Sequence, residues 1–591
     1  MNKEFFQKLL KKEWHIPFAH KAMRVIQAFS LTEKVIFFFF VGMFFLSSIL
    51  LLWQVNKSFL VEVPDYGGSL TEGIIGSPRF VNPLLAISDA DRDLTTLVYS
   101  GLMKVKLDGT LVPDLAQSYT ISDDGLVYTF ILKKNIKFQD GKQITADDII
   151  FTIDEAKDST LKSPRKSNWD GVTVKKIDDL TVQFILKQPY SPFIQNTTLG
   201  ILPKHIWKTA NSEEFPFSQY NTKAIGSGPY KINSITYTSG GLPSEYHLVA
   251  FDDYALGKPF ITNINIKSYQ TEKDLVSAYN NGDIENIHGI SGDKMVDLKS
   301  SDNKTMVSPL PRVFGVFFNQ NAAPIFVNAE VRQALNMITD REEIVKTVLN
   351  GYGQPAFEPI PPKEVNASKM TTFDADAEVA KAKALLISKG WKQDQSGIFE
   401  KTDKKSNIVL AFSISTSDAP ELKKVAQLLQ KQWQKIGAKV DIKIFEVSDL
   451  NQNIIRPRKY DSLLFGEVIG RDMDLYPFWH SSQRVDPGLN IALYTNIKAD
   501  KTLDTIRKTT DTQKQDILYK DFNTEINTDM PAVFVYAPYF TYIVPKKIHN
   551  IQLGQLTTPA ERFDNISEWY IQTNNIWKIF LRENKNADET N

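Results

Sequence analysis

Cysteine is missing from this sequence and histidine is scarce, with seven residues among 591. Without thiols the chain cannot form disulfides, zinc–thiolate sites or iron–sulfur clusters, and it has neither a cysteine nucleophile nor a lipid-modified N-terminal cysteine. The histidines show no ligand-like spacing. The sequence therefore predicts no metal site and no cofactor.

An excess of charge of one sign is also missing, because Lys+Arg and Asp+Glu number 69 each. A chain without net charge has no overall field that favours nucleic acid or an acidic polymer. We therefore expect no nucleic-acid partner.

Catalytic signatures are absent as well. The chain has no G-x-S-x-G elbow and no H-E-x-x-H pair, and neither Gly-Lys pair, at 141–142 and 257–258, precedes Ser or Thr. No catalytic residue is predicted. Glycosidase-type chemistry stays open, since two cleft carboxylates can come from anywhere in a chain.

One long uncharged run lies near the N-terminus, VIFFFFVGMFFLSSILLLWQV at 35–55. Its 21 residues are enough to cross a hydrocarbon core of about 30 Å. Residues 1–34 hold seven basic and three acidic side chains, so the positive-inside rule places this segment in the cytoplasm. The next residues, VNKSFLVEVPDYGG, offer no small-x-small cleavage site. We therefore predict a retained single-pass anchor in the cell membrane, with the remaining chain extracytoplasmic.

Beyond the anchor, strand patterns alternate with helical ones, which indicates a mixed α/β class. Residues 56–65 are expected to be a linker, and 581–591 a disordered tail. The length predicts more than one core, as two large lobes. The stretch 408–447 combines a strand, a helix ending at Gly437 and a second strand. Such a unit predicts parallel, right-handed pairing and a doubly wound sheet in at least one lobe.

Seven segments resemble, in the same order, the signatures of one protein family. They are RFVNPLL (79–85), LVYSGLMKVKLDGTLVPDLAQSY (97–119), LVYTFILKKNIKFQDGKQITADDIIFTI (126–153), GSGPYKI (226–232), VRQALNMITDREEIVKTVLNGYGQPA (331–356), AEVAKAKALLISKGW (377–391) and MPAVFVYAPYFTYIV (530–544). The ordered set resembles the extracytoplasmic solute-binding proteins of peptide-type ABC transporters, the family-5 oligopeptide and dipeptide receptors. The resemblance covers roughly residues 66–575.

This resemblance implies a two-lobed, periplasmic-binding-protein-like (Venus flytrap) α/β fold that encloses its ligand between the lobes. We expect a discontinuous lobe I at 66–310 and 541–580, and lobe II at 311–540. The implied function is capture of peptides, in particular oligopeptides, for an ABC permease with separate ATPase subunits. We expect a monomer without catalytic activity.

The segment RDMDLYPFWHSSQ (471–483) corresponds to the family loop that supplies an aspartate to the ligand's N-terminal ammonium. We assign this role first to Asp472 and second to Asp474, with Glu467 as the next candidate. Arg471, Tyr476 and Trp479 belong to the same candidate site. For the two aromatic residues, packing inside the lobe is an equally weighted interpretation, and Asp474 can also brace the turn.

In lobe I, Ser88 and Asp89 are candidate contacts because their loop corresponds to a cleft-facing loop of the family. Their alternative is capping of the helix that follows, since Ser and Asp are favoured at helix N-termini.

Two departures from the family pattern bear on the ligand. Glu467 stands where relatives often carry tryptophan, and EVSDL (446–450) contains none. A narrow dipeptide-binding pocket is therefore not expected. Two other hypotheses stay open: the same fold binding an oligosaccharide, a metal chelate or haem, and a membrane-anchored hydrolase that uses two cleft acids.

Overall fold

The computed structural model describes residues 25–298, 302–362, 364–365, 373–403, 406–471, 473–509 and 511–580. The chain divides into two compact units, Met1–Asp65 with Thr573–Asn591, and Tyr66–Gln572. The predicted tail 581–591 and most of the predicted cytoplasmic segment, residues 1–24, lie outside the described residues.

Strands and helices alternate along the described chain, as the sequence predicts for a mixed α/β protein. The strands are β1 (Leu60–Asp65), β2 (Ser69–Ile75), β3 (Met103–Val105), β4 (Leu111–Pro113), β5 (Ala116–Ile121), β6 (Val127–Leu132), β7 (Thr173–Asp178), β8 (Thr181–Ile185), β9 (Tyr230–Tyr237), β10 (Pro243–Ala250), β11 (Asn263–Tyr269), β12 (Asn286–His288), β13 (Asn303–Pro309), β14 (Arg312–Phe318), β15 (Gly353–Pro355), β16 (Lys392–Gln393), β17 (Phe399–Asp403), β18 (Ser406–Val409), β19 (Ala411–Ser417), β20 (Lys439–Phe445), β21 (Ser462–Val468), β22 (Ala532–Pro545) and β23 (Gln572–Trp577). The α-helices are α1 (Leu31–Phe59), α2 (Asp89–Val98), α3 (Ala146–Lys157), α4 (Lys166–Trp169), α5 (Phe193–Asn196), α6 (Lys204–Trp207), α7 (Glu272–Asn281), α8 (Gly292–Met295), α9 (Ala329–Met337), α10 (Arg341–Val348), α11 (Ala375–Ser388), α12 (Pro420–Gln434), α13 (Val447–Asp449), α14 (Tyr476–Trp479), α15 (Ile497–Lys508) and α16 (Thr512–Asp529).

The smaller unit is built on α1, which extends the predicted span 35–55 at both ends. Its first turn is closed by a capping box, because Ser30 Oγ accepts from Glu33 N while the Glu33 carboxylate accepts from Ser30 N. None of its residues is buried, and the helix is long and apolar enough to cross a membrane. Residues 56–65, expected as a linker, complete this helix and form β1, which pairs with β23.

A twelve-stranded sheet forms the centre of the larger unit, in the order β20-β19-β21-β14-β22-β12-β2-β11-β10-β9, with β13 and β15 also paired to β22. The long strand β22 belongs to both halves of this sheet. Its first half pairs with β14 and β15, and its second half pairs with β12 and β13. One continuous strand therefore crosses between the two halves.

The buried apolar residues separate into distinct cores on either side of this crossing. The largest core uses residues between Leu70 and Leu310 and between Phe540 and Trp569. Two further cores lie entirely within residues 313–536. We use the name lobe I for the part around the first core and lobe II for the part around the other two.

The predicted strand–helix–strand unit in lobe II is confirmed. Strands β19 and β20 pair in parallel, from Ala411 opposite Lys439 to Ser417 opposite Phe445, with α12 between them in the chain. Apolar residues at helical spacing on α12, among them Val425, Leu429 and Trp433, are fully buried. Strand β21, which lies between β19 and β14 in this sheet, leads to the loop that carries the candidate residues of lobe II.

Candidate functional site

A cavity of about 400 Å³ lies against lobe I and is bounded on one side by Arg471 of lobe II. Its size falls in the range of small-ligand sites, roughly 300 to 1,000 Å³. Lobe I contributes one face of α2, the segment 99–105, the N-cap and the end of α4, the end of α5 with the residues after it, and the 3-10 helix Pro559–Phe563. About half of the wall surface is polar, and it carries four cationic and three acidic side chains: Arg92, Lys104, Arg165, Arg471, Asp114, Glu561 and Asp564.

Helix α2 is held against the cavity by its own N-terminal capping. Ser88 Oγ accepts from Asp91 N at 3.1 Å, and the Asp91 carboxylate accepts from Ser88 N at 3.2 Å. The other Asp91 oxygen accepts from the backbone N–H groups of Arg79 and Phe80 at 2.7 and 2.8 Å. These bonds fix the loop before the helix and the first turn together. As a result, Arg92, Thr95, Thr96 and Tyr99 line the cavity.

Neither Ser88 nor Asp89 lines the cavity in this arrangement. Ser88 makes the capping contacts that the alternative interpretation of this loop describes. Asp89 is exposed and accepts from Arg92 Nη1 at 3.3 Å. Ser88 and Asp89 therefore affect the cavity wall only indirectly, through the position of α2 and of Arg92.

An ion pair joins the two lobes at the cavity. The Arg471 guanidinium from the lobe II loop meets the Glu561 carboxylate on the 3-10 helix of lobe I, with side-chain exposures of 11% and 22%. Glu561 also accepts from Thr557 N at 2.6 Å, which holds its carboxylate in place. This pair places the predicted residue Arg471 on the cavity wall and closes that side.

Asp474 supports a second contact between the lobes. Its carboxylate binds the Arg507 guanidinium through two atoms, with Nε at 3.0 Å and Nη2 at 2.5 Å. The same guanidinium lies 3.8 Å from the centre of the Tyr476 ring. The Arg507 carbonyl in turn accepts from Ser191 of lobe I at 3.3 Å, from both its N–H and its hydroxyl. Asp474 and Tyr476 thus position Arg507.

Glu467 and Trp479 lie in the interior of lobe II. The Trp479 indole N–H donates to Glu467 Oε2 at 3.1 Å, and the indole packs against Phe317, Phe534 and Tyr494. Burial raises the pKa of the Glu467 carboxyl well above its usual value, and the single bond from Trp479 offsets this only in part. Burial therefore favours the neutral, protonated form of this carboxyl.

The leading candidate of the sequence, Asp472, lies outside the described residues. Arg471, directly before it, is the candidate from this loop that lines the cavity. The remaining charged residues of the wall were not identified from the sequence. Arg92 follows closely after the candidate residues Ser88 and Asp89, which is a usable signal, whereas Arg165, Glu561 and Asp564 stand in no recognisable motif.

Two acidic groups of the wall have raised pKa values. Burial raises the pKa of Asp114 to about 6, against the opposing effect of Lys104. Enclosure also raises the pKa of Asp564 to about 8, and the neighbouring Glu561 charge adds to the shift, while Arg471 and Lys104 oppose it. Both shifts reduce the negative charge of the wall near neutral pH. The wall is therefore more positive than its residue types indicate.

The 3-10 helix that carries Glu561 is anchored by a fully buried charge network. Arg562 donates to Asp93 through two nitrogens at 2.7 and 2.8 Å, and to Glu72 through Nε at 3.0 Å. Tyr542 on the crossing strand β22 donates its hydroxyl to the same Glu72 at 2.7 Å. Burial alone would raise the pKa of Asp93, but the Arg562 charge, the neighbouring His288 and the hydrogen bonds from Arg562 outweigh it and hold the pKa at about 2.

No cluster of three or more His, Cys, Asp or Glu side chains suited to a metal ion occurs within the described part of the chain. What the cavity offers is a set of hydrogen-bond donors and charges that can bind a polar solute.

Comparison with known proteins identifies the class of this protein. The oligopeptide-binding protein AppA of Bacillus subtilis is 30% identical over 518 residues, covering 86% of this chain and 92% of AppA. Its structure in complex with a nonapeptide aligns with a TM-score of 0.64 and 29% identity, over 86% of this chain and all of that one. NikZ from Campylobacter jejuni in complex with Ni(L-His) aligns with a TM-score of 0.66 and 26% identity, over 85% and 99%.

These relatives are solute-binding proteins and not enzymes, so the hydrolase hypothesis is set aside. Their two-lobed α/β fold agrees with the one described above, and the resemblance inferred from the ordered segments is confirmed. Residues 110–486 match the family described as bacterial extracellular solute-binding proteins, family 5 (middle). The chain therefore belongs to the family-5 bacterial extracellular solute-binding proteins, the peptide-type substrate-binding proteins of ABC transporters.

Proposed function

We propose that this protein is a membrane-anchored receptor that captures peptides between its lobes outside the cytoplasm and delivers them to an ABC permease. The observation that carries the proposal is the polar cavity of lobe I closed by Arg471 of lobe II. Relationship to an oligopeptide-binding protein whose structure holds a nonapeptide supports oligopeptides as the ligand class. Energy for transport would come from separate ATPase subunits, and the receptor would act as a monomer.

Capture depends on lobe closure. A ligand that touches both lobes favours the closed arrangement through contacts that an open arrangement lacks. The Arg471–Glu561 pair and the Arg507–Ser191 hydrogen bonds are protein contacts of this kind, since each joins lobe I to lobe II. They would add to the stabilisation that the ligand supplies.

Retention at the membrane would rest on α1. The excess of basic residues before it supports a cytoplasmic N-terminus, and the absence of a small-x-small site after it supports an uncleaved anchor. The binding unit Tyr66–Gln572 would then stay at the outer surface, close to the permease.

Within the site, we assign the ligand's α-ammonium to Asp472. Support comes from the family loop that this segment resembles and from Arg471, the preceding residue, which lines the cavity. A buried ammonium needs a charged acceptor, and each charge-assisted bond contributes roughly 1.5 to 3 kcal/mol.

The test of this assignment compares free-amine and N-acetylated peptides. Asp472→Asn should weaken binding of free-amine peptides by about 2 to 5 kcal/mol, as when one partner of a buried charge pair is lost. Acetylated peptides should bind the wild type poorly and lose little more in the variant. Asp474→Asn is the matched control and should mainly lower the melting temperature, because Asp474 binds Arg507. Equal losses for both peptide types would show that Asp472 only supports the loop.

A metal chelate is the second candidate ligand, because the related NikZ was solved with Ni(L-His). Native mass spectrometry of the ectodomain, expressed from about residue 60, separates the two. A ladder of bound peptides supports the peptide receptor. A bound metal chelate, oligosaccharide or haem in its place would contradict it.

A further inference from the structure

Arg165 is one of three arginines on the cavity wall, together with Arg92 and Arg471. It is the N-cap residue of α4 and is half-buried at the cavity. Within the described residues it forms no ion pair, and its Nε has no hydrogen-bond partner. By contrast, Arg471 binds Glu561, and Arg562 behind the wall binds Asp93 and Glu72. Arg165 therefore stands out among the arginines around the site.

A second guanidinium, Arg92, shares this part of the wall. Its Nε also lacks a partner among the residues that the structure describes, although its Nη1 reaches the exposed Asp89. Burial lowers the pKa of Arg165, the positive charge of Arg92 lowers it further, and the Glu561 carboxylate opposes both, so Arg165 lies in the field of Arg92 and of Glu561. Two like charges in one enclosed space repel each other, and an anion between them would offset this repulsion.

The acidic side chains of the wall supply only part of that negative charge. Glu561 already binds Arg471 and Thr557 N. The raised pKa values of Asp114 and Asp564 reduce the negative charge that these two groups carry near neutral pH. A planar guanidinium with paired N–H donors matches a carboxylate in both charge and shape.

We infer that Arg165, assisted by Arg92, binds a carboxylate of the captured ligand. The inference rests on the proposed function, in which the ligand is a peptide. Two sources carry the same chemistry, the C-terminal carboxylate of the peptide and the side chain of an internal Asp or Glu. Arg165 would thus read a negative group on the lobe I side, separate from the ammonium site assigned to the lobe II loop.

The experiment measures peptide affinity by calorimetry for the wild type and Arg165→Gln, using the ectodomain with three matched peptides. The first peptide has a free C-terminus and one internal Glu, the second is its C-terminal amide, and the third replaces Glu by Gln. Arg165→Gln should weaken binding of the first peptide by roughly 10- to 100-fold, the contribution of hydrogen bonds to a charged group. Arg165→Lys keeps the charge without the paired donors and should lose less.

The three peptides identify the source of the carboxylate. If the C-terminal carboxylate is bound, the amide should bind the wild type more weakly and be nearly insensitive to Arg165→Gln. If the internal side chain is bound, the Gln peptide should instead bind the wild type more weakly and be nearly insensitive to Arg165→Gln. Arg92→Gln should follow the same pattern with a smaller loss, because Asp89 already takes part of its charge.

Arg456→Gln serves as the control, since this arginine is two-thirds exposed on lobe II and pairs with Asp486 away from the cavity. It should leave all three affinities unchanged, and melting temperatures verify that each variant folds. If the wild type binds the peptides but Arg165→Gln weakens all three equally or not at all, the inference is overturned while the peptide receptor stands. If no peptide binds the wild type, the proposed function fails and the inference fails with it.

Discussion

Replacing Arg562 by methionine should destabilise the larger unit strongly. The substitution keeps a long side chain but removes the charge and all the donors that bind Asp93, Glu72 and the carbonyl of Pro559. Both carboxylates are essentially inaccessible to water, at 1% and 0% side-chain exposure. Both would remain buried, with His288, whose Nε2 lies 3.4 Å from Asp93, as the possible cation left beside them.

The expected loss is about 3 to 5 kcal/mol, the usual effect of breaking a buried ion pair on one side. At roughly 2 °C per kcal/mol for larger domains, the melting temperature should fall by roughly 6 to 10 °C. The 3-10 helix Pro559–Phe563 holds Glu561 at the cavity, so the peptide affinity should fall together with stability.

The pH dependence supplies an independent check. The pKa of Asp93 is about 2 in the folded protein, against about 3.9 for a free aspartate. Its stabilising contribution is therefore present above pH 3.9 and is lost as the pH falls toward 2. The difference in melting temperature between the wild type and Arg562→Met should shrink over this interval.

A triple variant, Arg562→Met with Asp93→Asn and Glu72→Gln, is the matched control. It removes all three charges, so no carboxylate is left buried without a partner, and it should recover most of the lost stability. Thermal and denaturant unfolding of the ectodomain measure both variants. A melting temperature of Arg562→Met within about 1 °C of the wild type would refute the reasoning, because water or a rearranged neighbour would then have replaced the guanidinium.

Three further predictions concern the lobe II acid, lobe closure and the anchor. Glu467→Gln should be neutral or stabilising at pH 7, because burial favours the protonated form of Glu467 in the folded protein, and its stabilising contribution declines as the pH rises above about 4.3. Melting temperatures measured from pH 4 to 8 should therefore fall less steeply with pH in the variant. Saturating peptide should lower the radius of gyration in X-ray scattering, and tight binding without compaction would contradict interlobe capture. Arg471→Gln should raise the peptide concentration required for this compaction by about tenfold, because the pair with Glu561 would be weakened. The full chain should fractionate with membranes, and an ectodomain that begins at about residue 60 should be soluble. Recovery of the full-length chain from cells as a processed, soluble species would contradict a retained anchor.

The local elements of this protein follow from patterns that are short in sequence. The uncharged run at 35–55 predicts a membrane-length helix because hydrophobicity and length alone set that property. Helix α12 between β19 and β20 was equally legible, since its apolar spacing and Gly437 mark its buried face and its end. The ordered family segments then indicated the two-lobed fold, because they contain several such elements in the order in which the family has them.

The tertiary structure decided which of the polar residues meet. Arg471 and Glu561 are 90 residues apart, and Arg562 and Asp93 are 469 apart, so no local pattern relates them. The loop 471–483 has the composition of a binding cluster, yet the structure commits Asp474 to Arg507 and buries Trp479 beside Glu467. Secondary structure depends on neighbours within a few residues, whereas burial and electrostatic pairing depend on which surfaces pack together. For that reason the sequence by itself determined the membrane-length helix, the fold class and the family, and only the packing within lobe I placed Arg92 and Arg165 on one cavity wall.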